Sequence, residues 1–384
     1  MSDTHYQPHA CHVCLVSAQA AANLLPALDP ALKPAKVILV VSTKMAQQAS
    51  DLSAVLKENG ITVEERTLRD EHNYLHIEED LIQLADQLKD SRVALNITGG
   101  TKLMSGAAQT VGSVYGWDMF YVDVDTDGVS WLTPKERPSQ KLTEHLRIRH
   151  YLRSYGFTLS HKPQRPQASR EQQEVTDTLI KDIGSLEKPL STLNWLAQQA
   201  EQNNALDITL DARQDGYGLD ALLRHFSSAQ ALSLHGNQIR FASANARDFV
   251  KGGWLEQYVM QAVHTCTGSL NIRDKATGLE VITAGGVKNE LDVVFMAQNR
   301  LFVIECKTAR MDRPKAPKAN DTLFKLAENA RRVGGVGSRG MLVSYRALSP
   351  SEKDLAKALN IICVCGADIR QLDARLKAWV KPKA

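Results

Sequence analysis

No stretch of this 384-residue chain approaches the ~20 consecutive apolar residues of a membrane-crossing helix, which excludes an α-helical membrane protein. The opening residues, MSDTHYQPHACHVC, lack the basic-then-apolar order of a secretion signal. The expectation is a cytoplasmic protein with no membrane contact. Cysteine is scarce, with six residues at positions 11, 14, 266, 306, 363 and 365. Cys11-His12-Val13-Cys14 is half of a zinc site, but no second Cys or His pair follows at ligand spacing. Cys363 and Cys365 fall in an apolar run, IICVCG, and buried cysteine behaves as a small hydrophobe. Both pairs are expected in the core. No internal repeat is visible.

What is present is ordinary in bulk and uneven in distribution. The chain is 43% apolar and 23% charged, as in soluble globular proteins, and its length suits two or three domains. The formal net charge of +3 hides an asymmetry. Residues 1–150 hold 14 Lys/Arg against 19 Asp/Glu, and residues 151–250 hold 10 against 11. Residues 251–384 hold 22 against 13, so a polyanion is expected at this end.

Three regions follow from the pattern. In residues 1–150, apolar runs (HVCLVS, KVILVVS, ITVEERTL, RVALNIT, DMFYVDVD) alternate with amphipathic stretches. Strand–helix repetition predicts an α/β domain with a doubly wound parallel sheet, whose ligands bind outside the carboxyl ends of the strands. Residues 151–250 read as three helices and a hairpin turning at His-Gly-Asn, a small winged-helix-like domain. Residues 251–384 read as a mixed α/β domain. PQRPQASRE (163–171) and MDRPKAPKAND (311–321) have the composition of mobile segments.

The third region holds the sharpest signal. NELDVVFMAQNRLFVIECKTAR (289–310) joins two apolar runs by a short connection, and charges interrupt both. Charge facing a core is costly unless paired or metal-bound. Strand side chains alternate faces, so Glu290 and Asp292 share one face, as do Glu305 and Lys307. Three carboxylates and one ammonium can thus meet at one sheet edge. Asp292 and Glu305 suit a hard cation such as Mg²⁺ or Mn²⁺, which takes one or two carboxylates plus water and phosphate. Lys307 can orient a water and stabilise charge developing on a phosphate.

Glu256 lies near the start of the preceding helix, GGWLEQYVMQAV, and Lys325 and Arg331 lie in the following one. The order of helix with Glu, strand with Asp, strand with E-x-K and helix resembles the PD-(D/E)xK nuclease fold. ELD stands where the family usually has proline-aspartate. The resemblance implies catalytic Asp292, Glu305 and Lys307, assisted by Glu290 and Glu256.

In NITGGTKLMSGAA (96–108) a strand ends in a glycine turn and a helix follows. Glycine permits close backbone approach, and a helix N-terminus attracts phosphate. The spacing is neither that of a Walker A loop nor G-x-G-x-x-G. Ser17, Gln19 and Asn23 after the first strand, and Ser42, Thr43 and Lys44 after the second, supply further polar groups. This arrangement resembles a CARF domain, the cyclic oligoadenylate sensor of type III CRISPR defence. With a small middle domain and a PD-(D/E)xK domain behind it, the chain resembles the homodimeric, single-CARF ancillary nucleases of that system. The resemblance implies activation by cyclic tetra-adenylate and metal-dependent cutting of DNA, RNA or both. It places Ser17, Gln19, Thr43, Thr98, Gly99, Gly100, Thr101 and Lys102 around the messenger.

Two rival readings remain at this point. One is a messenger-responsive winged-helix regulator with an inactive nuclease domain, against which the intact Asp292, Glu305 and Lys307 argue. The other is a restriction or repair nuclease without a messenger. Arg310, Arg313, Lys315 and Lys318 follow the E-x-K strand directly and are assigned to substrate phosphates. Replacing all four by Ala is expected to weaken substrate binding. It should also lower the slope of log affinity against log salt by about 0.7–0.9 for each phosphate no longer neutralised. An unchanged slope would mark the run as a solvated loop.

Overall fold

The structure, a computed structural model, describes residues 9–160, 168–211, 218–283, 285–308, 319–334 and 339–380. Arg310, Arg313, Lys315 and Lys318, with most of the two segments read as mobile, lie outside the described residues.

The N-terminal sheet is built from β1 (Cys11–Leu15), β2 (Lys36–Val41), β3 (Thr62–Thr67), β4 (Val93–Asn96), β5 (Asp118–Asp123), β6 (Gly128–Thr133) and β7 (Gln140–Lys141). The strand order is β3-β2-β1-β4-β5-β6-β7. The first five strands are parallel, and β6 and β7 continue the sheet antiparallel. Every residue of β1 and β4 is buried, as expected of parallel strands covered on both faces. The edge strand β3 is charged instead, with Glu64 paired to Lys36 and Arg66. Helices α1 (Ala21–Leu28), α2 (Ala46–Glu58), α3 (Tyr74–Gln87) and α4 (Lys102–Val114) cover the faces. The winding direction reverses between β1 and β4, the switch point outside whose carboxyl ends ligands of such sheets bind.

A short helix, α5 (Ile148–Arg153), then wedges between the two large sheets. Its Ile148, Tyr151 and Leu152 belong to one apolar cluster that also holds Leu24 and Val55 from the first domain and Leu301, Val303 and Leu342 from the last. The strand β8 (Thr158–Leu159) joins the C-terminal sheet, although more than 100 residues separate it from its partner there.

The middle region supplies α6 (Arg170–Lys181), α7 (Glu187–Gln202) and α8 (Leu219–Ser228), the three expected helices. The hairpin β10 (Leu232–His235) and β11 (Gln238–Phe241) turns where predicted, and a short unpredicted strand, β9 (Asp207–Thr209), lies on its free side. This unit shares its core with the last domain: Leu179, Leu193 and Phe226 cluster with Trp254, Val293 and Phe302. The hydroxyl of Tyr345 also donates to the Leu179 carbonyl at 3.0 Å.

The C-terminal sheet comprises β12 (Asp274–Ile282), β13 (Lys288–Ala297), β14 (Arg300–Lys307), β15 (Arg339–Ser344) and β16 (Ile361–Cys365), in the order β16-β15-β14-β13-β12-β8. Helix α9 (Ala244–Asp248) leads through a kink into α10 (Trp254–Thr265), which packs one face together with α13 (Leu372–Val380). There Phe295 and Phe302 stack at 4.9 Å, and Trp379 meets Phe302 edge-on at 4.8 Å. Helices α11 (Ala319–Gly334) and α12 (Pro350–Ala358) take the other face. Cys11 and Cys14 are buried as expected, but Cys363 and Cys365 are only partly buried. The reason is that β16 is an edge strand with no neighbour beyond it.

Gly99 is where the first domain is tightest. A Cβ there would stand 2.0 Å from the Leu15 carbonyl oxygen, so the loops after β1 and β4 touch through bare backbone. Gly99→Ala is expected to destabilise the chain by about 2–3 kcal/mol, as overpacking against rigid backbone does. Gly184→Ala, with nothing within 4 Å, should stay within about 0.5 kcal/mol of the parent in denaturant titrations. Equal stabilities would contradict the close approach.

Candidate active site and messenger crevice

Pairing between β13 and β14 runs from Ala297↔Arg300 to Val293↔Ile304 and then stops. The next residues would be Asp292 and Glu305, and here the strands part. The N–H of Cys306, left without a strand partner, donates to Asp292 Oδ2 at 2.7 Å. Backbone groups alternate direction along a strand. Lys307 C=O accepts from Tyr345 N at 2.8 Å on the β15 side, so Cys306 N–H and C=O both face the gap. Glu305 and Lys307 share the face of Asp292. Lys307 Nζ lies 2.5 Å from Glu305 Oε1 and 3.8 Å from Asp292 Oδ2.

The electrostatics follow from burial. Burial first, and then the neighbouring Glu305 carboxylate, push the Asp292 carboxyl up to about 6, against the pull of Lys307 and the Cys306 N–H. Burial works against the Lys307 ammonium, but Glu305 and Asp292 outweigh it and hold its pKa above the usual lysine range. Lys307 is therefore a fixed cation at neutral pH, able to stabilise negative charge but not to abstract a proton. Glu290 is exposed at the rim, and its charge adds to the upward push on Asp292. Glu256 stands on α10 beside a cleft of about 640 Å³ that Gln257, Gln261, His264 and Lys275 also line. Its field reaches the buried Cys306 thiol.

Among the described residues, no three carboxylate, imidazole or thiol groups converge to cage a metal alone. Two carboxylates beside a backbone carbonyl facing the gap instead fit an ion such as Mg²⁺, which keeps waters and shares phosphate oxygens.

The predicted messenger residues gather at the carboxyl end of the first sheet. Ser17 and Gln19 lie in the loop after β1, where Ser17 Oγ accepts the Gln19 N–H at 3.3 Å. Thr101 caps α4 by accepting the Met104 N–H at 3.2 Å, and Lys102 is exposed in the first turn. The Lys102 and Leu103 N–H groups of that turn have no partner within the helix, as at any helix N-terminus. Gly100 adopts φ 76°, a left-handed conformation open to glycine. Thr98 is committed inside the chain: its hydroxyl donates to Asn96 Oδ1 at 2.6 Å and accepts the Val122 N–H at 2.7 Å. Asn23 is likewise structural, donating to Leu15 O at 2.9 Å and accepting from Asn96 at 2.9 Å. Thr43 is exposed after β2. Its N–H and hydroxyl meet Glu71 Oε2 at 3.3 and 3.2 Å, and these contacts hold the Glu71 carboxyl below the usual range. Sequence reasoning missed Glu71, which belongs to a polar loop, RDEHN, with no pattern to single it out.

Residues 11–151 match the family described as the Card1 CARF domain, and residues 243–382 match the Card1-like endonuclease domain. Among solved structures the chain is similar to protein VC1899 from Vibrio cholerae. The two are 27% identical over 96% of this chain and 97% of that one, with a TM-score of 0.87. It is also similar to Can2 from Sulfobacillus thermosulfidooxidans, solved in complex with cyclic tetra-adenylate. That pair is 26% identical over 97% of each chain, with a TM-score of 0.79. A type III CRISPR defence DNA nuclease activated by cyclic oligoadenylate shares the fold at 16% identity, over 94% of this chain and 48% of that one, with a TM-score of 0.57. No curated protein matches the chain.

A carboxyl raised to about 6 must give up its proton to bind a metal. Mn²⁺ affinity is therefore expected to increase as pH rises through about 6 and to level off above it, with up to one proton released per ion at pH 5.5. Calorimetry in buffers of different ionisation enthalpy reads the proton count. Binding indifferent to pH between 5 and 8 would contradict the raised carboxyl.

Proposed function

We propose that this chain, a Card1 CARF domain joined to a Card1-like endonuclease domain, is a metal-dependent nuclease of type III CRISPR defence that cyclic oligoadenylate switches on. The observation that carries the reading is the gathering of Asp292, Glu305 and Lys307 where β13 and β14 part. A crevice suited to phosphate, at the switch point of the first sheet, accompanies it.

Asp292 and Glu305 would hold a divalent ion, Mg²⁺ or Mn²⁺, with the Cys306 carbonyl facing the same gap. When bound, such an ion supplies Lewis-acid polarisation of a phosphoryl oxygen and a bound water of lowered pKa. Lys307, fixed by Glu305 and protonated, sits where negative charge builds on the phosphate and stabilises it. Glu290 at the rim and Glu256 on α10 assist from either side of the gap. The gap lies among buried strands, so bulk water is thinned and each interaction is stronger than in solution.

The messenger reading rests on Ser17, Gln19, Thr43, Thr98, Gly99, Gly100, Thr101 and Lys102. The Lys102 and Leu103 N–H groups at the start of α4 and the ammonium of Lys102 suit phosphate, and the exposed amide of Gln19 and the Thr43 hydroxyl, which keeps acceptor capacity beside Glu71, suit ribose and base edges. Can2 was solved with cyclic tetra-adenylate, and we assign the same ring to this crevice. A two-fold ring suits a two-fold interface, so the working form is a homodimer with the ring between two crevices. Residues 1–150 act as sensor, 151–250 as winged-helix-like connector and 251–384 as nuclease, in the cytoplasm. No helix among the described residues is long and apolar enough to cross a membrane.

The test incubates purified protein with single-stranded RNA, single-stranded DNA and supercoiled plasmid. Each substrate receives Mg²⁺ or Mn²⁺, with and without cyclic tetra-adenylate. Cutting should require both metal and messenger and should stop with EDTA. Asp292→Ala, Glu305→Ala and Lys307→Ala should each lower the rate by about 10²–10³, the usual loss for one transition-state electrostatic contact. An Asp292 variant within threefold of the parent would sink the catalytic assignment. Cutting that ignores the messenger would sink the sensor assignment alone.

A further inference from the structure

The loop after β4 and the β13–β14 hairpin are linked by contacts that run through the body of the chain. Thr98, in the crevice loop, accepts the N–H of Val122 in β5 at 2.7 Å. One residue later β5 ends in an acidic turn, DVDTDG (123–128), that folds on itself. There Asp123 accepts the Asp125 N–H and the Thr126 hydroxyl, each at 2.9 Å. Arg300, the first residue of β14, reaches into this turn. Its Nη2 lies 2.5 Å from Asp125 Oδ1 and donates to the Asp125 carbonyl at 3.1 Å. The Arg300 side chain is 9% exposed and that of Asp125 77%.

Asn299 makes a second attachment beside the first. Its Oδ1 accepts the Leu146 N–H at 2.8 Å and its Nδ2 donates to the Glu144 carbonyl at 3.1 Å. Gln298 and Asn299 have φ of 51° and 53°, so β13 and β14 are joined by a tight two-residue turn of the primed kind. No loop intervenes between this turn and the catalytic groups. Glu305 lies five residues along β14, a span of ~16 Å of paired, buried strand.

We infer that Asn299 and Arg300 are positioning residues of the nuclease: Arg300 clamps the turn of the β13–β14 hairpin to the β5–β6 turn of the sensor and Asn299 clamps it to the segment just before α5, so that a change in the crevice carries Asp292, Glu305 and Lys307 with it. The inference rests on the reading of the chain as a messenger-activated nuclease. An exposed ion pair alone would carry little coupling. Here the guanidinium is buried, it also bonds to backbone, and Asn299 fixes the same turn to two further backbone groups. The turn cannot shift against the sensor without breaking buried hydrogen bonds.

The test compares the parent chain with Arg300→Met, Asp125→Ala and the double variant. Three quantities are read: melting temperature, calorimetric affinity for cyclic tetra-adenylate, and Mn²⁺-dependent cutting of a labelled oligonucleotide with and without saturating messenger. Messenger affinity should stay within threefold in every variant. The stimulation by messenger should fall at least tenfold in each single variant, and the double variant should lose no more than the worse single. Stimulation within twofold of the parent in both singles would overturn the inference, as would losses that multiply in the double. So would equal losses of basal and stimulated cutting, the mark of a structural role. If Arg300→Met melts too early to assay, Asp125→Ala carries the test, because its exposed side chain is not part of the core. A parent enzyme that messenger does not stimulate overturns the functional reading itself, and this inference with it, before any variant is made.

Discussion

Where β13 leaves β14, a carboxylate does the work of a strand. Asp292 accepts the Cys306 N–H that the departing backbone no longer meets, and without it that buried donor would lose about 1–3 kcal/mol of hydrogen bonding. The bond fixes the Asp292 side chain in the gap, next to Glu305 and within 3.8 Å of Lys307. Two carboxylates and one ammonium in a mostly buried site leave one negative charge uncompensated. Burial first, and then that excess, raises the Asp292 carboxyl. A cation in the gap would remove the excess, and the geometry that crowds the two carboxylates would give such an ion its affinity. The fold around it, with stacked Phe295 and Phe302 behind and α10 and α11 on either face, serves to keep three side chains from relaxing toward water.

The charges were legible because they break a rule that apolar strands otherwise obey. Period-two alternation then put Asp292, Glu305 and Lys307 on one face, and the structure agrees. The same logic found the five parallel strands of the first sheet and its switch point between β1 and β4. What stayed hidden depends on contacts distant in sequence. Residues 298–300 read as a plain connection, yet Asn299 and Arg300 bind residues about 150–175 positions earlier. The run DMFYVDVD reads as a strand to residue 125, and nothing in it marks Asp125 as the partner of the buried Arg300 guanidinium. Strand β8 has only two residues and no pattern of its own, and it exists because β12 offers it an edge. Burial was misjudged for Cys363 and Cys365 because an apolar run does not reveal whether its strand is central or at the edge.

The sensor side illustrates how a polar pocket is kept rigid. Asn96, Asn23 and Thr98 form a buried relay that ties the ends of β1 and β4 to each other and to β5. A satisfied buried network of this kind has few alternative arrangements. Thr98, which the family resemblance places around the messenger, is part of the frame that holds the outer residues. The groups left facing outward are the helix N-terminus at Thr101 and Lys102, the exposed amide of Gln19 and the hydroxyl of Thr43.

Rigidity at both sites constrains how one can govern the other. The apolar cluster around α5 runs without interruption from α1 and α2 of the sensor to β14, β15 and α11 of the nuclease. The middle unit is fused to the nuclease by a shared core of its own. A hinge needs few buried contacts across it, and the described residues offer no such place between the sensor and nuclease sheets. The change that turns the enzyme on is therefore sought between copies rather than within one. In the proposed dimer, a ring held by two crevices acts on the angle between two stiff bodies. Full switching from 1:99 to 99:1 needs about 5.5 kcal/mol of differential binding. A soft joint between crevice and hairpin would let that energy dissipate before it reached the gap at Asp292. The attachment of the hairpin turn to the sensor by Asn299 and Arg300 removes the softest joint available, the free end of a two-stranded loop.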